Sequence, residues 1–284
     1  ELFKTNIFNL EDVKQVLKDC DFAINLVGIL YETRKQKFSQ IHVEYPRLLS
    51  NLCNEIGVKN LVHISALGVR EDHISKYMQT KLEGEKNIQK VFKQSVILRP
   101  SLVFGPEDKF FNAFASIAKF LPALPLIGGG KTKFSTIYVG DVAKAIVKTL
   151  KLENSKPKIY ELGGPKNYSF KELMEILLTE IKKKRFLIPI PFGVAKFQSY
   201  FLQMLPKPLL TVDQVELLKY DKSKKESSYK KLRTKQEFTY KTLYITTLYK
   251  YIDQLEQNRY IDNIASSRGL WNIGGIIMSE PSLR

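Results

Sequence analysis

Cysteine is scarce in this 284-residue chain: Cys20 and Cys53 stand alone and far apart. That excludes a disulfide framework and fits a reducing compartment, with both thiols filling core space. The three histidines, His42, His63 and His73, form no metal-ligand pattern, so no metal site is expected. His63 falls within an apolar run and is expected to pack in the core. No window of about 18 apolar residues occurs, so no membrane-spanning helix is expected. The nearest stretch, 186–210, is interrupted by Pro189, Pro191, Pro206 and Pro208 and carries Lys196 and Lys207. Negative charge is also short, with 29 acidic residues against 45 basic ones. Of the net +16, residues 181–284 hold +10. A basic C-terminal third suits a solvated lysine-rich face, anionic lipid headgroups or nucleic acid.

What is present is alternation. Continuous apolar runs at 22–28, 60–65, 95–100, 134–139 and 159–162 read as strands. Between them, 38–56, 75–92 and 108–120 carry helical spacing, and Asp141 reads as the N-cap of a helix to Leu150. Apolar strands alternating with amphipathic helices indicate an α/β fold, a doubly wound parallel sheet covered on both faces. After Pro165 the pattern becomes mostly helical. Ser169 and Glu172 form a capping box for a helix to about Lys184, an aromatic-rich helix spans 192–205, and Thr211 caps another. A lysine- and serine-rich linker at 222–235, a last helix at 240–257 and a frayed tail at 261–284 complete the expected order. The expected domains are residues 1–165, a C-terminal lobe at 166–260 and that tail. Gly128-Gly-Gly-Lys-Thr132 has a phosphate-loop look, but the motif's first glycine would fall on Pro125 and a strand follows. It reads as a turn.

The chemistry centres on Tyr77-Met-Gln-Thr-Lys81. Tyrosine and lysine four apart on a helix share a face, and a nearby ammonium favours phenolate, which suits a general acid–base. Tyr31/Lys35 and Tyr220/Lys224 share that spacing. Only Tyr77 opens a helix directly after a strand ending in a serine, Ser65, which could hydrogen-bond a substrate carbonyl.

With Asn25-Leu-Val-Gly28, Ser65, Tyr77/Lys81, Arg99-Pro-Ser-Leu-Val-Phe-Gly-Pro106 and Tyr138-Val-Gly-Asp-Val-Ala143 in this order, the chain resembles the extended and atypical short-chain dehydrogenase/reductase family. Longer phrases, among them Phe104-Gly-Pro-Glu-Asp-Lys-Phe-Phe-Asn112 and Leu124-Pro-Leu-Ile-Gly-Gly-Gly130, are similar to its branch of respiratory complex I accessory subunits. The resemblance covers about residues 10–180, with a further match at 205–219, and fades after Asp221. It implies a Rossmann-like domain holding NADP(H), or alternatively NAD(H), the nucleotide being structural in the complex I branch. Leu26, Val27 and Gly28 would line the adenine-ribose side. Ser65, Tyr77 and Lys81 would surround the nicotinamide and its ribose as the catalytic set, and Pro100, Ser101 and Val103 would contact the nicotinamide end.

The pattern departs from that family at the start. No Gly-x-Gly-x-x-Gly precedes residue 22, so the sheet is expected to lack its first βαβ units, and this stretch to bind nucleotide weakly. Three functions follow from the sequence. The first is an NADP(H)-binding, non-catalytic accessory or assembly protein partnered with complex I subunits or another inner-membrane assembly. It would lie peripherally on the cytoplasmic side of a bacterial inner membrane or the mitochondrial matrix side, with 192–205 as a membrane-contact candidate. The second is an active reductase or epimerase using Tyr77, Lys81 and Ser65. The third is a nucleic-acid binder, disfavoured because no stacking-aromatic module accompanies the lysines.

Overall fold

The computed structural model describes residues 3–150, 152, 157–205 and 208–221. The linker, last helix and tail expected beyond residue 221 lie outside them. The chain divides into two compact units, described separately. Among the described residues, one comprises 3–99 and 144–161, the other 100–143 and 162–221.

The first unit opens with α1 (Leu10–Leu17) and the strand β1 (Phe22–Asn25). A π-helical turn (Ser39–Glu44) runs into α2 (Tyr45–Ile56), followed by β2 (Asn60–Ile64), α3 (Lys76–Val91) and β3 (Ser95–Pro100). β1 pairs with β2, and β2 with β3, both in parallel. Strands in parallel sequence need helical crossovers, and α2 and α3 supply them. Leu17, Cys53, Leu61, Ile88 and Phe92 are among the fully buried residues of this core. Ser75 caps α3 by accepting the Met78 N–H. Cys53 therefore fills core space as expected, whereas Cys20 is only half-buried.

The expected strand 22–28 is shorter than the apolar run. β1 stops at Asn25 because its side-chain oxygen accepts the Val27 N–H at 3.0 Å, a local turn that competes with the ladder. Leu26 is exposed as a result.

The second unit contains β4 (Val103–Phe104), α4 (Lys109–Phe120), β5 (Ala123–Ile127), β6 (Lys133–Phe134) and β7 (Ile137–Tyr138). The helix α5 (Val139–Leu150) begins there and ends in the first unit, where β8 (Lys158–Leu162) joins the main sheet beside β3, giving the order β1-β2-β3-β8. Then come β9 (Tyr168–Ser169), α6 (Phe170–Glu180), β10 (Phe186–Ile190), α7 (Phe192–Leu202) and α8 (Val212–Leu217). A parallel α/β sheet matches the expected fold class. The capping boxes at Ser169/Glu172 and Thr211/Gln214 are both formed. Gly128–Gly130 make a turn with positive φ throughout, which only glycine adopts readily, and a strand follows as expected.

Two further expectations need correction. The run 134–139 is not one strand: β6 pairs antiparallel with β9, β7 pairs parallel with β4, and between them Ser135 turns to Asn167 and Gly164. Asp141 is not the N-cap. The helix starts two residues earlier, and Asp141 lies in its first turn, where a carboxylate meets the positive end of the helix dipole.

Candidate nucleotide site

The site is built where β1 and β2 end. Parallel register sets Asn25 beside His63, and the Ser65 N–H extends the ladder by donating to Leu98 O at 2.8 Å. His63 is fully buried in the core, as expected, and neither ring nitrogen has a hydrogen-bond partner among the described residues. Ser65 Oγ and Asn25 Nδ2 are likewise buried without one. Buried polar atoms almost always find partners, so three such groups at the ends of two adjacent strands are unusual.

Over these strand ends lies α3. Lys81 is only 4% exposed, and its ammonium donates to Ile64 O at 3.1 Å, one residue before Ser65. Burial lowers its pKa from 10.5 to about 8, opposed by the nearby Glu85 carboxylate. Glu85 is itself buried and takes a bidentate pair of bonds from Arg99, at 3.0 and 2.5 Å. Gly28 closes against Lys81: a Cβ there would stand 3.2 Å from Nζ. A bulkier residue would push the ammonium off its place.

His42, which no sequence signal marked, organises the other side. Its Nε2 accepts the Ile29 N–H at 3.2 Å and its Nδ1 lies 3.2 Å from Thr80 Oγ1. The Thr80 hydroxyl has Lys76 O and Tyr77 O as acceptors, so the consistent assignment is a neutral ring protonated at Nδ1. Burial, reinforced by the charge of Lys81, pushes the His42 pKa down to about 2 and that of His63 well below 6.5. The Tyr77 ring stands edge-on to His42 at 5.2 Å and to Phe38 at 5.9 Å. Gly84 is required here, since a Cβ would come within 1.9 Å of His42 O. The clue in the sequence was indirect: a glycine inside a helix, which costs stability unless something must approach it.

Leu26, Val27 and Gly28 line one cavity of about 910 Å³ in this unit. Its charged lining residues are Lys4, Arg34 and Lys35, with no carboxylate among the lining side chains. The structure thus groups Gly28 with Lys81, Lys81 with the strand end at Ser65, and Tyr77 with His42. Pro100, Ser101 and Val103 belong to the second unit. There Ser101 N–H donates to Leu162 O at 2.8 Å, and Val103 pairs with Ile137. Among the described residues no group of three or more His, Cys, Asp or Glu could hold a metal ion.

The NAD dependent epimerase/dehydratase family matches residues 1–163. The chain belongs to that family. It is 32% identical over 208 residues to the mitochondrial NADH dehydrogenase (ubiquinone) 1 alpha subcomplex subunit 9 of Mus musculus, covering 72% of this chain and 55% of the mouse protein. It is 25% identical over 216 residues to the mitochondrial NADH-ubiquinone oxidoreductase 40 kDa subunit of Neurospora crassa, covering 76% and 56%. The chain therefore spans about half the length of these relatives. In fold it is similar to a Citrobacter triphenylmethane reductase, with a TM-score of 0.65, 17% identity and coverage of 89% of this chain and 82% of that one. The Bacillus cereus UDP-glucuronic acid 4-epimerase, solved with UDP-glucuronic acid and NAD, gives a TM-score of 0.56 at 21% identity, covering 81% of each chain.

Proposed function

We propose that this protein binds a nicotinamide adenine dinucleotide, NADP(H) or NAD(H), and acts as an accessory or assembly component of respiratory complex I. The observation that carries the nucleotide reading is Lys81, held under Gly28 at the strand end before Ser65. The unpaired Ser65 Oγ and the wholly cationic charge of the cavity beside Leu26, Val27 and Gly28 suit a polar, phosphate-bearing ligand. Burying an ammonium is costly, and a site that needs its charge accounts for keeping it. The complex I reading is supported by the relatives named as subunits of that enzyme. On this reading the protein lies peripherally on the matrix or cytoplasmic face of the inner membrane. Among the described residues no helix is long and apolar enough to cross it.

The nucleotide would serve chiefly as a ligand of the native state, adding stability by mass action. A second reading, an active reductase or epimerase, is favoured by the presence of Ser65, Tyr77 and Lys81 together. On that reading Ser65, Tyr77 and Lys81 would face a bound nicotinamide, whose contribution would be hydride chemistry. Tyr77 would hold the transferred proton, Lys81 would favour its phenolate, and Ser65 would orient the carbonyl.

Isothermal titration with NADPH and NADH tests the first reading. Binding is expected, weakened roughly tenfold or more in Lys81→Met by loss of a charge-assisted contact. Co-purification with complex I should be unchanged in Tyr77→Phe. Absence of nucleotide binding by the wild type sinks the proposal, and NADPH turnover that disappears in Tyr77→Phe selects the second reading.

A further inference from the structure

α7 carries its small residues inward and its large ones outward. Ala195 and Ser199 are buried, Ala195 packing with Ile127 and Val215 in the second unit. Phe197 and Phe201 are 66% and 63% exposed, with Val194 exposed beside them in the helical spacing of one face, and Met204, in the turn that follows the helix, is 81% exposed. The rings of Phe197 and Phe201 meet edge-on at 5.4 Å, so the outer face is an ordered aromatic surface. The strand leading into the helix, β10, adds exposed Phe186 and Ile188.

Charge decides what suits this face. From residue 181 to 210 the sequence has six cations, Lys182, Lys183, Lys184, Arg185, Lys196 and Lys207, and no acidic residue. The carboxylate that faces α7 from α8, Glu216, is already held by two lysines, Lys196 at 2.8 Å and Lys219 at 2.7 Å. Those bonds keep its pKa low. Protein–protein interfaces are depleted of lysine at their cores. Aromatic and Met side chains flanked by an acid-free run of lysines instead match helices that lie in the headgroup region of an anionic leaflet. Eleven residues are too few to cross a bilayer, so the helix would lie in its plane.

We propose that α7 and the turn after it dock the protein on an anionic lipid surface, with Phe197, Phe201 and Met204 entering the acyl boundary and the basic run 182–185 on the headgroups. This is independent of the nucleotide: loss of NADPH binding leaves it standing.

Flotation of the full chain with vesicles of phosphatidylcholine alone, or of phosphatidylcholine with an equal part of phosphatidylglycerol, tests it. Binding to the anionic vesicles should exceed binding to neutral ones by roughly tenfold and fall in high salt. The variant Phe197→Ser/Phe201→Ser/Met204→Ser should lose roughly tenfold of that binding while keeping its far-UV circular dichroism and Tm. Equal flotation of variant and wild type overturns the proposal, because the lysines alone would then be adsorbing. So does failure to float with anionic vesicles. A wild-type dimer on gel filtration that the variant converts to monomer also overturns it, assigning the face to a second copy of the chain.

Discussion

Around Lys81 the protein buries polar groups, while along α7 it exposes apolar ones. At the ends of β1 and β2 an ammonium, a neutral imidazole and a serine hydroxyl sit in the core; among the described residues the Lys81 ammonium donates to Ile64 O, while the His63 ring and the Ser65 hydroxyl have no hydrogen-bond partner. On α7, phenylalanines face out while alanine and serine face in. Both arrangements cost stability in the isolated chain, one through desolvation and the other through apolar surface left in water. The difference teaches where each cost is recovered. A buried polar cluster can be satisfied by a small ligand that reaches into it. An exposed apolar face needs a large surface laid against it. Sites that break local rules are where function is most readily read from structure.

The comparison breaks first at Glu85. Replacing it with alanine leaves the half-buried Arg99 guanidinium with the more distant Glu161 carboxylate at 4.0 Å, and losing the closer partner of this pair should cost about 3 kcal/mol. Urea unfolding measures this, and Arg99→Ala in the same chain should restore part of the loss. An unchanged midpoint would mean that the polar interior of this unit is not under tension.

Lys81→Met sharpens it. With a folded-state pKa near 8 against 10.5 unfolded, the native state loses its proton first as pH rises. The penalty of the buried ammonium is therefore fully present below about pH 8, is relieved between 8 and 10.5, and is constant above that. Methionine removes it, so the variant should be more stable near neutrality by about 2–3 kcal/mol, with the advantage closing toward the unfolded pKa. Tm measured across that range checks the sign. A variant that is less stable at neutrality would show that Lys81 is a structural cation rather than one kept for a ligand.

The smallest effect should be on α7. Phe197→Ser and Phe201→Ser leave the core untouched and should shift stability by no more than about 0.5 kcal/mol. A larger loss in chemical denaturation would make these rings part of the fold and remove half of the contrast.

Short-range chemistry was the legible part of the sequence. The boundaries of β3, the Ser169 capping box, the Thr211 cap and the glycine turn at 128–130 all rest on residues a few positions apart. β1 was overextended because apolar character continues through Val27 while a single side-chain bond from Asn25 ends the ladder. The parallel pairing of β10 with β5 was not legible, because it joins segments about sixty residues apart. Ser65, Tyr77 and Lys81 could be singled out as candidates because strand–serine–helix order is sequential. His42 was not, since its role comes from Ile29, Thr80 and Tyr77 arriving together in space.

The main sheet also bears on how the protein is made. Its fourth strand, β8, takes its place beside β3 only after some sixty further residues have been added. At ordinary translation speeds that is a delay of roughly 3–12 seconds, during which a nascent chain would carry β3 with one open edge. Ribosome stalling or premature release anywhere in 101–157 would leave the same edge unpaired. For this family member, the vulnerable moment comes during synthesis, while the β3 edge waits for its partner.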